Sequence, residues 1–86
     1  MYYTYVLTSR KDGEWYIGFT HNLKERFALH VSGRVPSTKG RLPMVLIFYE
    51  AYLNKYDALR RERYFKTSKG KTTLRYMLSD FLSKKA

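Results

Sequence analysis

Trp15–His30, WYIGFTHNLKERFALH, reads as a strand running into a helix. Trp15, Ile17 and Phe19 alternate with Tyr16, Gly18 and Thr20, so the two sets point to opposite faces of a strand. The first set is large and apolar and is expected to face a core. The second carries a phenol, a glycine and a hydroxyl, an unusual set for a face that only packs. Asn22 then offers a helix N-cap, with Glu25 three residues on as in a capping box. Within the helix, Arg26 and His30 are four residues apart and share one face. A phenol, a guanidinium and an imidazole therefore converge near one strand-to-helix junction.

Upstream, Tyr2 to Thr8 is aromatic and β-branched and reads as the first strand, with Glu14 to Thr20 as the second. Ser9 to Gly13 carries turn chemistry, and Asp12-Gly13 is a strong hairpin signal. Any even-length loop puts Tyr5 on the same face as Tyr16, and a loop of about four residues sets Tyr5 opposite Gly18, whose missing side chain leaves room for a ring.

Downstream, the first helix is expected from about Leu23 to Ser32, with Leu23, Phe27 and Val31 as its apolar stripe and Gly33 at C′. Ser32 to Pro43 is a long basic loop without an acid. Met44 to Tyr52 is almost continuously apolar, which fits a strand buried on both faces better than an edge strand. A second helix should start near Asn54, with Asp57 as a weak capping box, and run to about Thr67. Ser68 to Lys71 reads as a basic break. A third helix follows, with Leu74, Met77, Leu78, Phe81 and Leu82 as its stripe and Lys84-Lys85 at the negative end of its dipole. On the second helix Glu62 shares a face with Ala58, Leu59 and Phe65, so it needs a partner: Lys66 and a divalent cation are the candidates.

The chain has 86 residues, 44% hydrophobic and 17% aromatic, which suits one packed domain spanning 1–86. Seventeen Lys+Arg against seven Asp+Glu give a formal net charge of +10, which points to a polyanionic partner, above all nucleic acid. The basic residues are not gathered on one amphipathic helix, so a membrane partner is not expected. Cysteine is absent, which excludes disulfides, thiolate metal sites and cysteine nucleophiles and suits the cytoplasm. The N-terminus has no basic stretch before its apolar part, so no signal peptide is expected. Composition leaves the oligomeric state undetermined.

With Tyr5, Tyr16, Gly18, Arg26, His30 and Glu62 in place, the chain resembles a GIY-YIG nuclease domain. It is most similar to the small stand-alone bacterial members related to the N-terminal nuclease domain of the bacterial excinuclease. Tyr16-Ile17-Gly18 is the second motif as it stands, and Tyr3-Thr4-Tyr5 fills the first-motif slot with only its tyrosine retained. The asparagine that several family nucleases place after the glutamate helix has no counterpart here. The resemblance implies an α+β fold, a small three-stranded antiparallel sheet flanked by three helices in the order β-β-α-β-α-α. It also implies phosphodiester hydrolysis with one divalent metal, Mg²⁺ or Mn²⁺, and nucleic acid as partner, DNA ahead of RNA. Carried over, Glu62 holds the metal, Arg26 stabilises charge on the phosphate, and Tyr5 or Tyr16 orients or deprotonates the attacking water, with His30 in support. Arg34, Thr38, Lys39, Arg41 and Lys66 are expected on the nucleic-acid backbone, and Gly18 is structural. The alternative on the same fold is a non-catalytic nucleic-acid-binding module.

Overall fold

A four-residue tip, residues 10–13, closes the first hairpin between β1 (Tyr2–Ser9) and β2 (Trp15–Thr20). The computed structural model, which describes residues 1–83, shows how the tip is held. Ser9 N–H donates to the Glu14 carbonyl at 3.0 Å, Gly13 takes φ +73°, and the Asp12 carboxylate accepts from Glu14 N–H at 2.9 Å. This tip sets the register, and Tyr5 lies opposite Gly18 as its length requires.

β3 (Met44–Tyr52) pairs antiparallel with the other side of β1, giving one three-stranded sheet in the order β2-β1-β3. β3 is therefore an edge strand, contrary to the expectation from its apolar run. The run has a different cause: both faces of this sheet are covered, so even its edge strand carries apolar residues on each side. A register shift between Val6 and Leu7 fits this, because Ile47 and Phe48 both pack on one face while Leu46 packs on the other.

On one face α1 (Leu23–Val31) covers Tyr5, Leu7 and Met44 through Leu23 and Phe27. Asn22 caps α1 by accepting from Glu25 N–H at 3.1 Å, while Thr20 Oγ1 accepts from Asn22 N–H. Gly33, at φ +78°, ends it: Gly33 N–H bonds the His30 carbonyl and Arg34 N–H the Leu29 carbonyl, the paired bonds of a Schellman stop. Val31, expected in the apolar stripe, is 52% exposed, and the buried residue at that end of α1 is its neighbour His30.

On the opposite face α2 (Lys55–Phe65) and α3 (Ser68–Met77) cover Val6 and Ile17 with Phe65 and Leu74. Asn54 caps α2 by accepting from Tyr56 N–H, and Asp57 pairs with Arg60 at 3.1 Å. The expected break at Ser68 to Lys71 is instead the first turn of α3, capped by Thr67, whose hydroxyl accepts from Gly70 N–H at 2.9 Å. Gly70 is needed for close approach: a Cβ there would lie 1.8 Å from the Tyr64 carbonyl oxygen. The third helix also ends at Met77 with Leu78 as its C-cap, and α4 (Ser79–Ser83) follows; Leu74 and Leu78 pack on the core, while Met77, Phe81 and Leu82 are exposed. The Lys84-Lys85 expectation lies outside the described residues. Among those described, no helix is long and apolar enough to cross a membrane.

Candidate active site

The β1–β2 register places the Tyr5 and Tyr16 rings 6.3 Å apart on the α1 face. Tyr5 is buried and its ring runs over Gly18: a Cβ on Gly18 would stand 2.5 Å from the Tyr5 Cζ and hydroxyl. Any larger residue at 18 would displace the phenol, so Gly18 is part of the site's geometry.

α1 brings up the other groups. His30 is fully buried, its ring edge-on to Tyr5 and Tyr16 at 5.7 and 4.9 Å between centroids. The Tyr5 hydroxyl and His30 Nε2 are 2.9 Å apart, and His30 Nδ1 and Thr38 Oγ1 are 2.8 Å apart. One turn before His30, Arg26 sits beside both phenols. Burial pushes Tyr5 up to about 12; the neighbouring Arg26 opposes this, while Tyr16 and Glu62 add to it. Burial first, and then the charge of Arg26, push His30 down to about 4. At neutral pH the site therefore contains a neutral phenol against a neutral imidazole.

Thr38 is the site residue that spacing could not assign correctly. Expected on the nucleic-acid backbone, it is fully buried, and its hydroxyl is committed to His30. The reason is the path of the 32–43 loop. Thr38 N–H bonds the Val35 carbonyl, Ser9 Oγ donates to the Arg41 carbonyl, and Lys11 Nζ donates to the Gly40 carbonyl. These contacts fold the loop onto the hairpin tip and turn Thr38 inward. The sequence offered no periodic signal for a contact made this way. Arg34 and Lys39 remain exposed, as a role on nucleic acid requires. Arg41 is tied to Asp12 at 3.1 Å, which leaves its charge partly neutralised.

Glu62 projects from α2, with its side chain 20% exposed, and pairs with Lys66 at 3.0 Å. Its charge acts on Tyr5 from there. Lys66 is 55% exposed and Glu62 20%, so the pair lies at the protein surface with the carboxylate as its more enclosed member. No group of three or more His, Cys, Asp or Glu side chains that could hold a metal converges among the described residues. A donor set of one carboxylate suits Mg²⁺ or Mn²⁺, which keep several waters, and does not suit Zn²⁺. Glu50, the other candidate carboxylate, is occupied: it receives both Arg61 Nε at 2.8 Å and the Tyr52 hydroxyl at 2.5 Å. That network joins β3 to α2 and is structural.

Residues 1–75 match the GIY-YIG catalytic domain. A UPF0213 protein of Streptococcus pneumoniae is 41% identical over 68 residues, 78% of this chain and 68% of that one. Another, from Pediococcus acidilactici, is 40% identical over 82 residues, 88% and 80% of the two chains. The solution NMR structure of a UPF0213 protein from Bacillus halodurans superposes with a TM-score of 0.57 at 33% identity, covering 90% of this chain and 85% of that one.

Proposed function

The chain belongs to the GIY-YIG family, in its UPF0213 branch, and we propose on that premise that it is a divalent-metal-dependent nuclease. Its substrate is nucleic acid, DNA in preference to RNA, cut according to structure or without preference. The observation that carries this reading is the convergence of Tyr5, Tyr16, Arg26 and His30 on the face of the sheet that α1 covers. A buried imidazole bonded to a buried phenol, beside a guanidinium, gathers groups able to bind phosphate and move a proton at one point, which a phosphodiesterase site needs and packing alone does not.

In this reading Arg26, a planar two-pronged donor, binds the scissile phosphate and stabilises its growing charge. Tyr16, the more open phenol, orients the attacking water. Tyr5, once ionised, takes a proton from that water as its oxygen attacks phosphorus and the leaving oxygen departs. Glu62 would hold Mg²⁺ or Mn²⁺, which when bound supplies Lewis-acid stabilisation of the phosphate and leaving oxygen. Arg34, Lys39 and Arg41 position the backbone, and so does Lys66 once released from Glu62. Thr38 has no place on that surface.

The pairing of Glu62 with Lys66 favours the second reading, a nucleic-acid-binding module without metal. Cleavage of duplex, single-stranded, flapped and branched DNA, and of RNA, with Mg²⁺ or Mn²⁺ separates the two, with Glu62→Ala and Tyr16→Phe run beside the wild type. Metal-dependent cutting that Glu62→Ala abolishes is expected. Binding without cutting under either metal would give the binding module first place.

A further inference from the structure

We infer that Trp15, Lys71 and Arg75 form a second nucleic-acid subsite, which takes an unpaired nucleotide beside the scissile phosphate. The base lies between the indole and the Arg75 guanidinium, and Lys71 holds its phosphate. The subsite rests on the proposed nuclease reading and deepens it by naming the class of substrate, a strand with unpaired bases next to the cut.

Trp15 opens β2 and points to the face that α2 and α3 cover. Its ring packs on the core cluster of Val6, Ile17, Phe65 and Leu74, and its remaining surface borders a cavity of about 300 Å³. That volume is at the lower end for ligand pockets and suits one flat ring. Lys71 and Arg75 line the cavity from α3, one turn apart and so on one side of the helix. Both are exposed, and neither belongs to an ion pair among the described residues. Against these two cations stands the single carboxylate of Glu14, so the lining is net positive. The Arg75 guanidinium carbon is 5.7 Å from the centre of the Trp15 ring. Atoms in contact prefer about 3.5–4.0 Å, so a base between the two groups needs about 7 Å or slightly more. An outward shift of the exposed Arg75 side chain by roughly 1–2 Å makes that room. Stacking on the indole and a cation over the base both favour the sandwich.

The slot adjoins the cleavage site. Trp15 directly precedes Tyr16 on β2, an edge strand, so the two rings flank one open edge from opposite faces. Glu62, carried by α2 on the Trp15 face, acts on Tyr5, whose ring lies over Gly18 of the same strand. A nucleic-acid strand bound at Tyr16 and Arg26 and continuing toward the hairpin tip therefore reaches Trp15. A base inside a duplex must first be unpaired and unstacked at a cost, so single strands, flaps and frayed ends fill the slot in preference. Two other cavities lack this combination. Beside Tyr52 and Tyr64, Arg60 and Arg61 are already paired with Asp57 and Glu50. The cavity of Tyr3 and Tyr49 holds Lys24, which is about 200° around α1 from Arg26 and so faces away from the site.

Trp15 is the one tryptophan in the chain, so its fluorescence reports on the slot alone. The full chain is titrated without metal, so that nothing is cut. The ligands are a single-stranded DNA oligomer, the same oligomer with abasic sites, a blunt hairpin duplex and polyglutamate, with anisotropy of the labelled ligand giving occupancy. The single strand is expected to quench the emission at saturation, and the other three to leave most of it. Arg75→Gln should weaken single-strand binding about two- to fivefold, the worth of an exposed cation over a ring. Lys71→Gln should lower the single-strand salt slope by about 0.7, the share of one phosphate. Emission unchanged at full occupancy by the single strand overturns the inference, and so does equal quenching by the abasic oligomer. Equal quenching by polyglutamate overturns it in favour of an acidic protein partner. Trp15→Leu, followed by anisotropy, should bind the intact and abasic oligomers alike; if that variant does not fold, the wild-type fluorescence decides. Quenching in a protein that cuts nothing once metal is added removes the nuclease reading alone. Metal-dependent cleavage without quenching removes the subsite alone.

Discussion

Gly18→Ala tests the link between strand register and site geometry. The added methyl would stand 2.5 Å from both the Cζ and the hydroxyl of Tyr5 and 2.9 Å from its Cε1. Carbon atoms in contact prefer about 3.5–4.0 Å, so the ring must retreat by about 1 Å. Tyr5 is 1% exposed and has no free space to enter. Overpacking of this kind costs about 1–3 kcal/mol. Withdrawing the hydroxyl from His30, now 2.9 Å away, adds a lost buried hydrogen bond of about 1–3 kcal/mol. Alanine's lower backbone entropy returns about 0.5–1 kcal/mol. The net destabilisation is therefore about 2–4 kcal/mol. Urea unfolding of Gly18→Ala, Tyr5→Leu and the double variant measures it. Leucine lacks the atoms that clash, so the Gly18→Ala penalty should largely vanish in the Tyr5→Leu background. A wild-type penalty under about 1 kcal/mol, or one equal in both backgrounds, would refute the geometric reasoning.

Four further outcomes are expected. Cleavage should rise about tenfold per pH unit between roughly pH 6 and 9, because Tyr5, pushed up to about 12, is neutral there and its ionised form reacts; Tyr5→Phe should flatten the profile. Stability should fall with acid because of His30, whose pKa drops from 6.5 to about 4 on folding. Above the higher value the ring is neutral in both states and the contribution is complete. Between the two values only the unfolded chain takes up the proton, which removes up to about 3 kcal/mol, and below the lower value the loss ends. Urea midpoints at neutral and acid pH should show this slope in the wild type and not in His30→Gln. Binding to DNA should weaken steeply with salt, and replacing Arg34 and Lys39 together by Gln should reduce the log–log slope by about 1.4–1.8 if each neutralises a phosphate. Gly70→Ala should destabilise by about 3 kcal/mol or more in denaturant titrations, since its methyl meets the Tyr64 carbonyl rather than a movable side chain.

The parts of the site legible in the sequence are those set by local geometry. Tyr16 and Gly18 share a face because a strand alternates, and Arg26 and His30 share one because a helix repeats. The hairpin tip carries its own turn residues, so the Tyr5–Gly18 pairing follows from its length. Asn22 and Gly33 mark the ends of α1 through hydrogen bonds made within a few residues. Glu62 was conspicuous because a carboxylate on a packing face requires a partner, and Lys66, one turn on, is that partner.

What only the tertiary structure decided lies at longer range. The apolar run of β3 reports that both its faces are covered, but whether a strand is central or at an edge depends on which neighbours find it. Gly70 reads as a breaker because glycine disfavours helix; its actual role, close contact between α2 and α3, exists only once the two helices meet. Thr38 looks like one more polar residue in a basic loop, and it becomes the partner of His30 only after that loop is tied back to the hairpin. Alternation, helical repeat and capping are fixed by covalent geometry and by bonds between near neighbours, so the sequence determined by itself the strands, the ends of α1 and the faces of the site. The closing of the 32–43 loop over His30 depends on contacts between segments far apart in the chain, for which no period exists, and so it was decided by the folded structure alone.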